Sequence, residues 1–300
     1  MSTKAKVIFV NSFKGGAGKT TLALTHCIDS LFHRKEEQYE NIIYMDLDIL
    51  GTGTCFLFQE GLLPETKCFE KTEVPVEVPL TLEEETGSIY VAYLDPKLKI
   101  RSVYGTGHYG NHQGIAAADI IDKVVKFIRE QVEEVPATLF VLDCAPGFSD
   151  MEQAILKECY GLEILGKLEI EEDYVTTLDS AHVKKCILCL NDTITALPQL
   201  APRRNIQVVL NDIQNYSGYL DTSWSEKVEQ GWKDLVGRMR KELRNENLVI
   251  RRWRYSEDIA QLSVYGSESV VENHTKWYVF TEDNYQILYQ KEKETEKENQ

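Results

Sequence analysis

The sequence lacks the long apolar runs of membrane proteins, because no stretch approaches the roughly 18 apolar residues that a spanning helix needs. The basic residues that follow Met1 lead into an apolar run of only four residues, 7–10, which is too short for the core of a signal peptide. We therefore expect a cytoplasmic protein that is not inserted into a membrane.

A disulfide framework is also missing. The seven cysteines are odd in number and scattered along the chain, as is typical of reduced thiols in the cytosol. Cys186 and Cys189 form a C-x-x-C pair, a spacing that can bind zinc. Because the pair lies in a predicted apolar helix, two core cysteines are the favoured interpretation, and a metal site stays the alternative.

Basic charge is scarce. Acidic residues outnumber basic ones by 48 to 33, which gives a net charge of −15 and argues against a surface built as a whole for nucleic acid or anionic membrane. The stretch 238–254 is the exception, since it contains seven basic residues and only two acidic ones, Glu242 and Glu246. They could contact DNA phosphates, or they could be solvated residues of a helix end and a strand. They are Arg238, Arg240, Lys241, Arg244, Arg251, Arg252 and Arg254.

The strict phosphate-loop pattern, G-x-x-x-x-G-K-[ST], is absent because Phe13 stands where its first glycine belongs. The surrounding context is nevertheless that of a phosphate loop, with an apolar strand at 7–10, a glycine-rich turn and a helix start. The turn would direct backbone N–H groups at an anion, and the helix would add the positive end of its dipole. The expected phosphate-binding residues are Gly15, Gly16, Ala17, Gly18, Lys19, Thr20 and Thr21, with the Thr20 hydroxyl on Mg²⁺.

The segment from Lys14 to Thr20 resembles the deviant phosphate loop of the ParA/MinD family of ATPases, which has a second lysine at the start of the loop. That resemblance implies ATP and Mg²⁺ as cofactors and a homodimer that forms on ATP binding. In the family the early lysine reaches the nucleotide of the partner subunit, so Lys14 is expected to act across the dimer, and Lys19 on the nucleotide of its own chain.

Two predicted buried strands end in aspartates. In a parallel sheet, ligands bind at the carboxyl ends of the strands, where these side chains would lie. Asp46 and Asp48 follow the first of these strands, and Asp143 ends the second, with Gly147 shortly after it. By resemblance to the family, Asp48 orients the attacking water and Asp46 lies near the Mg²⁺ shell. Asp143 holds Mg²⁺ through a water molecule, and Gly147 senses the γ-phosphate through its backbone. The alternative for each aspartate is an ordinary solvated turn or strand end.

Other segments are less informative. By the same resemblance, Asn211 at the end of a predicted strand would contact the adenine, although asparagine is also common in turns. His108 and His112 lie in a glycine-rich loop, for which we favour a polar loop over a metal site. Prolines interrupt residues 55–88, which we interpret as a variable insertion.

Repeated strand–helix units predict an α/β fold, a mostly parallel twisted sheet with helices on both faces. We expect a single P-loop ATPase domain at 1–285 and a charged, disordered tail at 286–300. The expected function is Mg²⁺-dependent ATP hydrolysis that drives a dimer switch, which positions DNA or other cargo and responds to a stimulating partner protein. The alternatives are an ATPase adaptor of a protein machine that does not bind DNA, and a metal-cluster carrier.

Overall fold

A nine-stranded sheet organises the molecule. The computed structural model describes residues 4–33, 39–48, 63–82, 85–95, 100–101, 115–147, 149–212, 222–243, 245, 247–254 and 285–290. The strands of this sheet are β1 (Ala5–Asn11), β2 (Asn41–Asp46), β3 (Val76–Leu82), β4 (Glu85–Ala92), β7 (Thr138–Asp143), β8 (Leu168–Thr177), β9 (Ile206–Asn211), β10 (Val249–Trp253) and β11 (Tyr285–Gln290). β5 (Ile100–Arg101) and β6 (Ile115–Ala116) form a separate parallel pair.

The strand order is β11-β10-β9-β8-β1-β7-β2-β4-β3. The seven inner strands pair in parallel, and the two edge strands pair in antiparallel fashion. β1 lies at the centre, between β7 and β8, and nearly all its residues are buried. Burial on both faces explains why the inner strands read in the sequence as continuous apolar runs.

Helices cover both faces of the sheet. The helices are α1 (Lys19–Phe32), α2 (Phe69–Thr72), α3 (Ala117–Glu134), α4 (Asp150–Ile164), α5 (Ser180–Ala196) and α6 (Thr222–Glu242), and a 3₁₀ turn spans Glu65–Lys67. On one face α1 packs against alternate strand residues such as Ile8 and Val10. On the other face, residues of α3, α4, α5 and α6 belong to the same buried cluster as Val7 and Phe9. The α/β fold predicted from the sequence is therefore confirmed.

The described part of the region predicted as an insertion, 55–88, contains the 3₁₀ turn, α2, β3 and the first half of β4. β3 and β4 form a hairpin that carries the sheet to one edge. β3 begins at Val76 and includes Pro79, and an edge strand tolerates proline because one of its sides makes no ladder hydrogen bonds.

The boundary at 285 between domain and tail is wrong, because residues 286–290 belong to β11 and not to a disordered tail. β11 pairs with β10 through residues 285–290, with a bulge beside Ile250. Tyr285 is buried, and Leu288 and Tyr289 pack against the core. The prediction extended the charged character of the residues after Gln290 to residues 286–290. It did not consider that β10 would otherwise leave its outer backbone hydrogen-bonding groups unpaired.

Within the described part of the chain, no helix combines the length and the apolar character needed to cross a membrane.

Candidate functional site

The loop between β1 and α1 has the backbone shape that its glycines predict. Gly16 and Gly18 adopt positive φ angles of 73° and 96°. Gly18 caps α1 without a side-chain hydrogen bond, so the first N–H groups of the helix remain available for an anion. Lys14, Gly15 and Gly16 are exposed, whereas Lys19 is buried to 6% exposure. The loop can therefore present backbone donors, a helix dipole and a lysine to a phosphate group.

Asn211 braces this loop from β9. Its Nδ2 donates a hydrogen bond to the carbonyl oxygen of Ala17 at 2.9 Å. A Cβ on Gly18 would lie 2.4 Å from the same Nδ2 atom, so a larger residue would have to displace the Asn211 side chain as well as adopt a positive φ. The structure thus places Asn211 against the loop backbone, a contact that sequence reasoning did not foresee. Its adenine contact stays a prediction.

Phe13, which replaces the first glycine of the strict pattern, is buried and stacks on Tyr174 of β8. The ring centroids are 5.6 Å apart, and the planes differ by 12°. The Tyr174 hydroxyl in turn contacts the buried ion pair of Glu172 and Arg204. An aromatic contact therefore holds the start of the loop against the neighbouring strand.

The carboxylates at the ends of β2 and β7 meet beside the loop. Asp46 and Asp143 are register partners in these adjacent parallel strands. Asp48 follows β2, and its backbone N–H donates to Asp46 Oδ1 at 3.0 Å. Asp48 Oδ2 lies 3.6 Å from Lys19 Nζ. The three predicted acidic residues are thus brought next to one another, and Asp48 lies beside Lys19.

Asp143 is the most deeply buried carboxylate of this group. Tyr44 donates a hydrogen bond to its Oδ2 at 2.9 Å, and its Oδ1 has no hydrogen-bond partner among the described residues. Burial raises the pKa of Asp143 to about 6, while Lys19, Thr20 and Tyr44 oppose that rise. A buried carboxylate oxygen without a donor fits a site for a hydrated Mg²⁺ ion. Sequence reasoning missed Tyr44, because it comes from a different strand.

Gly147 follows β7 with a φ of 116°, a conformation that favours glycine. Its N–H donates to the carbonyl oxygen of Ser12, which precedes the loop, at 2.8 Å. The segment after Asp143 is therefore hydrogen-bonded to the phosphate loop. Contact between this N–H and a γ-phosphate stays a prediction, and in this structure the N–H is engaged by Ser12.

Lys14 makes a contact that no pattern in the sequence predicts. Its Nζ lies 2.5 Å from Nε2 of His182, in the first turn of α5. Nδ1 of His182 lies 2.5 Å from Oγ1 of Thr177, the last residue of β8. These residues line one cleft beside the loop, together with Lys185. The only hint in the sequence is a histidine shortly after a strand that ends in two threonines.

The basic stretch 238–254 does not form one open surface. Arg251 hydrogen-bonds Gln207 and stacks on Tyr285. Its neighbour Arg252 stacks on Trp232 and pairs with Asp212 at 3.6 Å. Two further contacts are those of Arg240 with Tyr289 and of Arg254 with Gln286. Much of the basic charge is therefore bound by the protein's own sheet edge, while Arg238 and Lys241 are exposed and Arg244 lies outside the described residues.

The metal sites considered from the sequence gain no support where the structure can be read. Cys186 is buried and Cys189 half-buried on α5. Neither belongs to a group of three or more potential metal donors among the described residues. His108 and His112 lie outside those residues.

No family model and no curated protein matches the sequence. Solved structures do resemble the fold. The apo McdA structure from Cyanthece has a TM-score of 0.50 at 15% identity, with 86% of this chain and 89% of that chain covered. The MinC:MinD cell division protein complex from Aquifex aeolicus has a TM-score of 0.48 at 15% identity, covering 87% and 84%. The cell division ATPase MinD from Pyrococcus furiosus has a TM-score of 0.45 at 12% identity, covering 87% and 87%.

At these identities the likeness to McdA is one of fold. It extends over most of both chains and agrees with the mostly parallel sheet described above. The resemblance to ParA/MinD ATPases drawn from residues 14–20 is thereby confirmed at the level of the fold.

Proposed function

We propose that this protein is a Mg²⁺-dependent ATPase that acts as an ATP-controlled dimer switch in the positioning of cargo. The observation that carries the proposal is the convergence of Lys19, Asp48 and Asp143 on one glycine-rich loop at the carboxyl ends of β1, β2 and β7. Phosphoryl transfer needs that combination of backbone donors, a lysine and acidic residues for Mg²⁺ and water.

The loop residues would bind and neutralise the phosphates. Lys19 and the N–H groups of residues 15–21 hold the β- and γ-phosphates, since they are the donors at the start of α1. Thr20 and Asp143 would hold Mg²⁺, Asp143 through a water molecule, and Asp46, the register partner of Asp143 in β2, would be a further acidic group near the ion. When bound, Mg²⁺ would stabilise the negative charge that develops on the phosphate oxygens in the transition state.

Asp48 would orient the attacking water. Its position after β2 is fixed by the hydrogen bond from its own N–H to Asp46, and Lys19 lies next to its carboxylate. Gly147 would bring the segment after β7 to the γ-phosphate, and Asn211 would lie next to the adenine. Lys14 of each chain would complete the site of the other chain, so that hydrolysis depends on dimerisation.

The test is ATP hydrolysis measured against protein concentration, with sizing of the protein in ATP and in ADP. We expect Lys19→Ala to abolish nucleotide binding. Lys14→Ala should keep nucleotide binding and lose dimer-linked hydrolysis, while Lys184→Ala, an exposed lysine of α5, should behave like the wild type. Normal hydrolysis by Lys14→Ala would refute the role of this lysine across the dimer.

The class of cargo separates two versions of the proposal. A DNA-positioning ATPase would grip DNA phosphates through the stretch 238–254, and an adaptor would act on a protein machine without DNA. The engagement of Arg240, Arg251, Arg252 and Arg254 by the protein's own residues favours the adaptor.

The exposed pair Arg238 and Lys241 allows a test that leaves the sheet edge intact. Salt-dependent DNA binding seen only with ATP, and lost in Arg238→Glu/Lys241→Glu, would support the DNA version. An ATP-bound dimer that fails to bind DNA even at low salt would support the adaptor.

A further inference from the structure

The cleft beside the phosphate loop places a histidine between Lys14 and Thr177. His182 contacts Lys14 through Nε2 and Thr177 through Nδ1, each at 2.5 Å. The three residues come from the loop, the end of β8 and the first turn of α5. The contact joins elements that are far apart in the sequence.

Both ends of this contact are anchored. Phe13, next to Lys14, is stacked on Tyr174 of β8. Asp179 caps α5, and its carboxylate accepts hydrogen bonds from the N–H groups of Ala181 and His182. These backbone hydrogen bonds hold the pKa of Asp179 below its ordinary value. The backbone at His182 is therefore held by the helix cap, and the residue that precedes Lys14 is held by the aromatic stack.

The geometry assigns the proton of the imidazole. A lysine ammonium group carries three donors and no acceptor, so Nε2 of His182 must accept from Lys14. A neutral imidazole then carries its proton on Nδ1, which donates to the Thr177 hydroxyl oxygen. The contact therefore requires the Nδ1–H form of a neutral histidine.

We propose that His182 is a positioning residue that holds Lys14 on its own chain and so opposes the transfer of Lys14 to the partner's nucleotide. This inference rests on the proposed function, because it concerns the lysine that would complete the second site of the dimer. To act on the nucleotide of the partner, Lys14 would have to extend away from its own chain, and the contact with Nε2 of His182 is the interaction that this extension gives up.

The charges around the imidazole agree with this role. Lys14 and Lys185 line the same cleft, and Asp179 is the acidic group at the start of the helix. The imidazole offers Lys14 an acceptor, whereas the ammonium group of Lys185 can offer none.

The first test does not depend on nucleotide. In the nucleotide-free protein, ¹⁵N NMR of the histidine side chains, with the signal of His182 assigned by its absence in His182→Gln, should show the Nδ1–H tautomer. In Lys14→Ala the signal should shift toward the Nε2–H tautomer. An Nε2–H tautomer in the wild type, or a signal that Lys14→Ala leaves unchanged, would overturn the inference even if the protein proves to be an ATPase.

The second test measures dimerisation with ATP by analytical ultracentrifugation. Removal of a half-exposed charge-assisted contact in His182→Ala should lower the dimer dissociation constant about threefold. His182→Gln, whose amide oxygen can accept from Lys14, should restore the wild-type value. Weaker dimerisation in His182→Ala, or equal values in the Ala and Gln variants, would contradict the proposal. Absence of any ATP-dependent dimer would instead refute the proposed function and with it the role of His182.

Discussion

At the scale of single residues, Asp143 shows how a residue of the proposed nucleotide site can lower the stability of the fold. Its folded pKa of about 6 lies above the ordinary value of 3.8, because burial disfavours the charged form. The direction of the pH effect on stability follows from the difference between the folded and unfolded pKa values of Asp143. Protonated Asp143 favours the folded state below pH 4, and that contribution is lost as the pH rises through about 6. At neutral pH the ionised carboxylate destabilises the metal-free protein.

We therefore expect Asp143→Asn to be more stable than the wild type at pH 7.5 in EDTA. The shift of about two pKa units corresponds to a gain of about 3 kcal/mol at most, since one unit is worth 1.36 kcal/mol. Thermal unfolding at pH 7.5 and pH 5 measures it, and the gain should shrink at the lower pH. Tyr44→Phe, which removes the donor to Asp143, should instead lower stability at pH 7.5. An equal gain at both pH values would argue against burial of the charge as the cause.

The loop glycines offer a graded series. Gly15 has no positive φ and open space where a Cβ would stand, Gly16 has a positive φ with open space, and Gly18 has a positive φ and the close Asn211 side chain. We expect Gly15→Ala to change stability little and Gly16→Ala to cost about 1 kcal/mol. Gly18→Ala should cost about 2–3 kcal/mol, because it also displaces Asn211 from the Ala17 carbonyl. Urea unfolding of the three variants measures the order, and equal costs at Gly16 and Gly18 would show that Asn211 moves freely.

Much of the site could be predicted from local sequence, but the residues that hold it could not. The loop from Lys14 to Thr20 is read from consecutive residues, since its shape depends on its own glycines. Tyr44, Tyr174 and His182 come from separate strands and a helix. Their contacts depend on the order of strands in the sheet, which no local pattern records.

At the scale of elements, a buried ion pair joins Glu172 of β8 to Arg204, which lies two residues before β9. Glu172 and Arg204 are both fully buried, and two hydrogen bonds of 2.8 and 2.6 Å join them. Tyr160 and Tyr174 donate to the same carboxylate, each at 2.9 Å. Because Tyr174 also stacks on Phe13, the pair fixes the ring that carries the start of the loop.

Removal of one partner of this pair should be far more harmful than removal of both. Arg204→Met leaves a buried carboxylate without its cation and should cost about 3–5 kcal/mol. The double variant Arg204→Met/Glu172→Gln removes both charges and keeps an acceptor for the two tyrosines, so it should recover more than half of that loss. Chemical unfolding of the two single variants and the double variant gives the coupling. Additive losses would show that the two side chains act independently.

The edge strand β11 can be tested by shortening the chain. A protein that ends at residue 284 loses the partner of β10 and the buried Tyr285, and we expect a loss of about 2 kcal/mol or more, with aggregation through the open edge. A protein that ends at Gln290 should unfold like the full chain, because residues 291–300 contain no apolar residue. Thermal unfolding with light scattering compares the two. Equal behaviour would mean that β11 adds little to the sheet.

The accuracy of the sequence predictions differs between elements for a physical reason. The predicted ends of β7 at Asp143 and of β9 at Asn211 match the observed ones, since an inner parallel strand is apolar throughout and ends at a polar residue. β4 begins at Glu85, before its apolar residues, because its pairing with β3 extends it. β11 escapes sequence-based prediction for a similar reason. Edge strands are defined by what they pair with more than by their own composition.

At the scale of the whole molecule, the net charge of −15 and the contacts made by the basic stretch 238–254 both argue against an extended basic surface. Four arginines of that stretch contact aromatic or polar side chains on β9, β11, α6 and the residue after β9. An arginine that stacks on a ring and pairs with a neighbour contributes to packing as well as to charge. The sequence of this stretch suggested a positively charged surface, but four of its arginines instead contact other residues at this edge of the sheet.

The central position of β1 also has a consequence for the order in which the protein can be made. β1 spans Ala5–Asn11, but its two neighbours are Thr138–Asp143 and Leu168–Thr177. A ribosome that adds about 5–20 residues per second would need roughly 10–30 s to supply both. Until β7 has been made, the apolar strand that leads into the glycine-rich loop has no native partner, and until β8 has been made it has only one. The proposed nucleotide site, whose loop is translated before both neighbours of β1, therefore cannot be completed until β8 has been made.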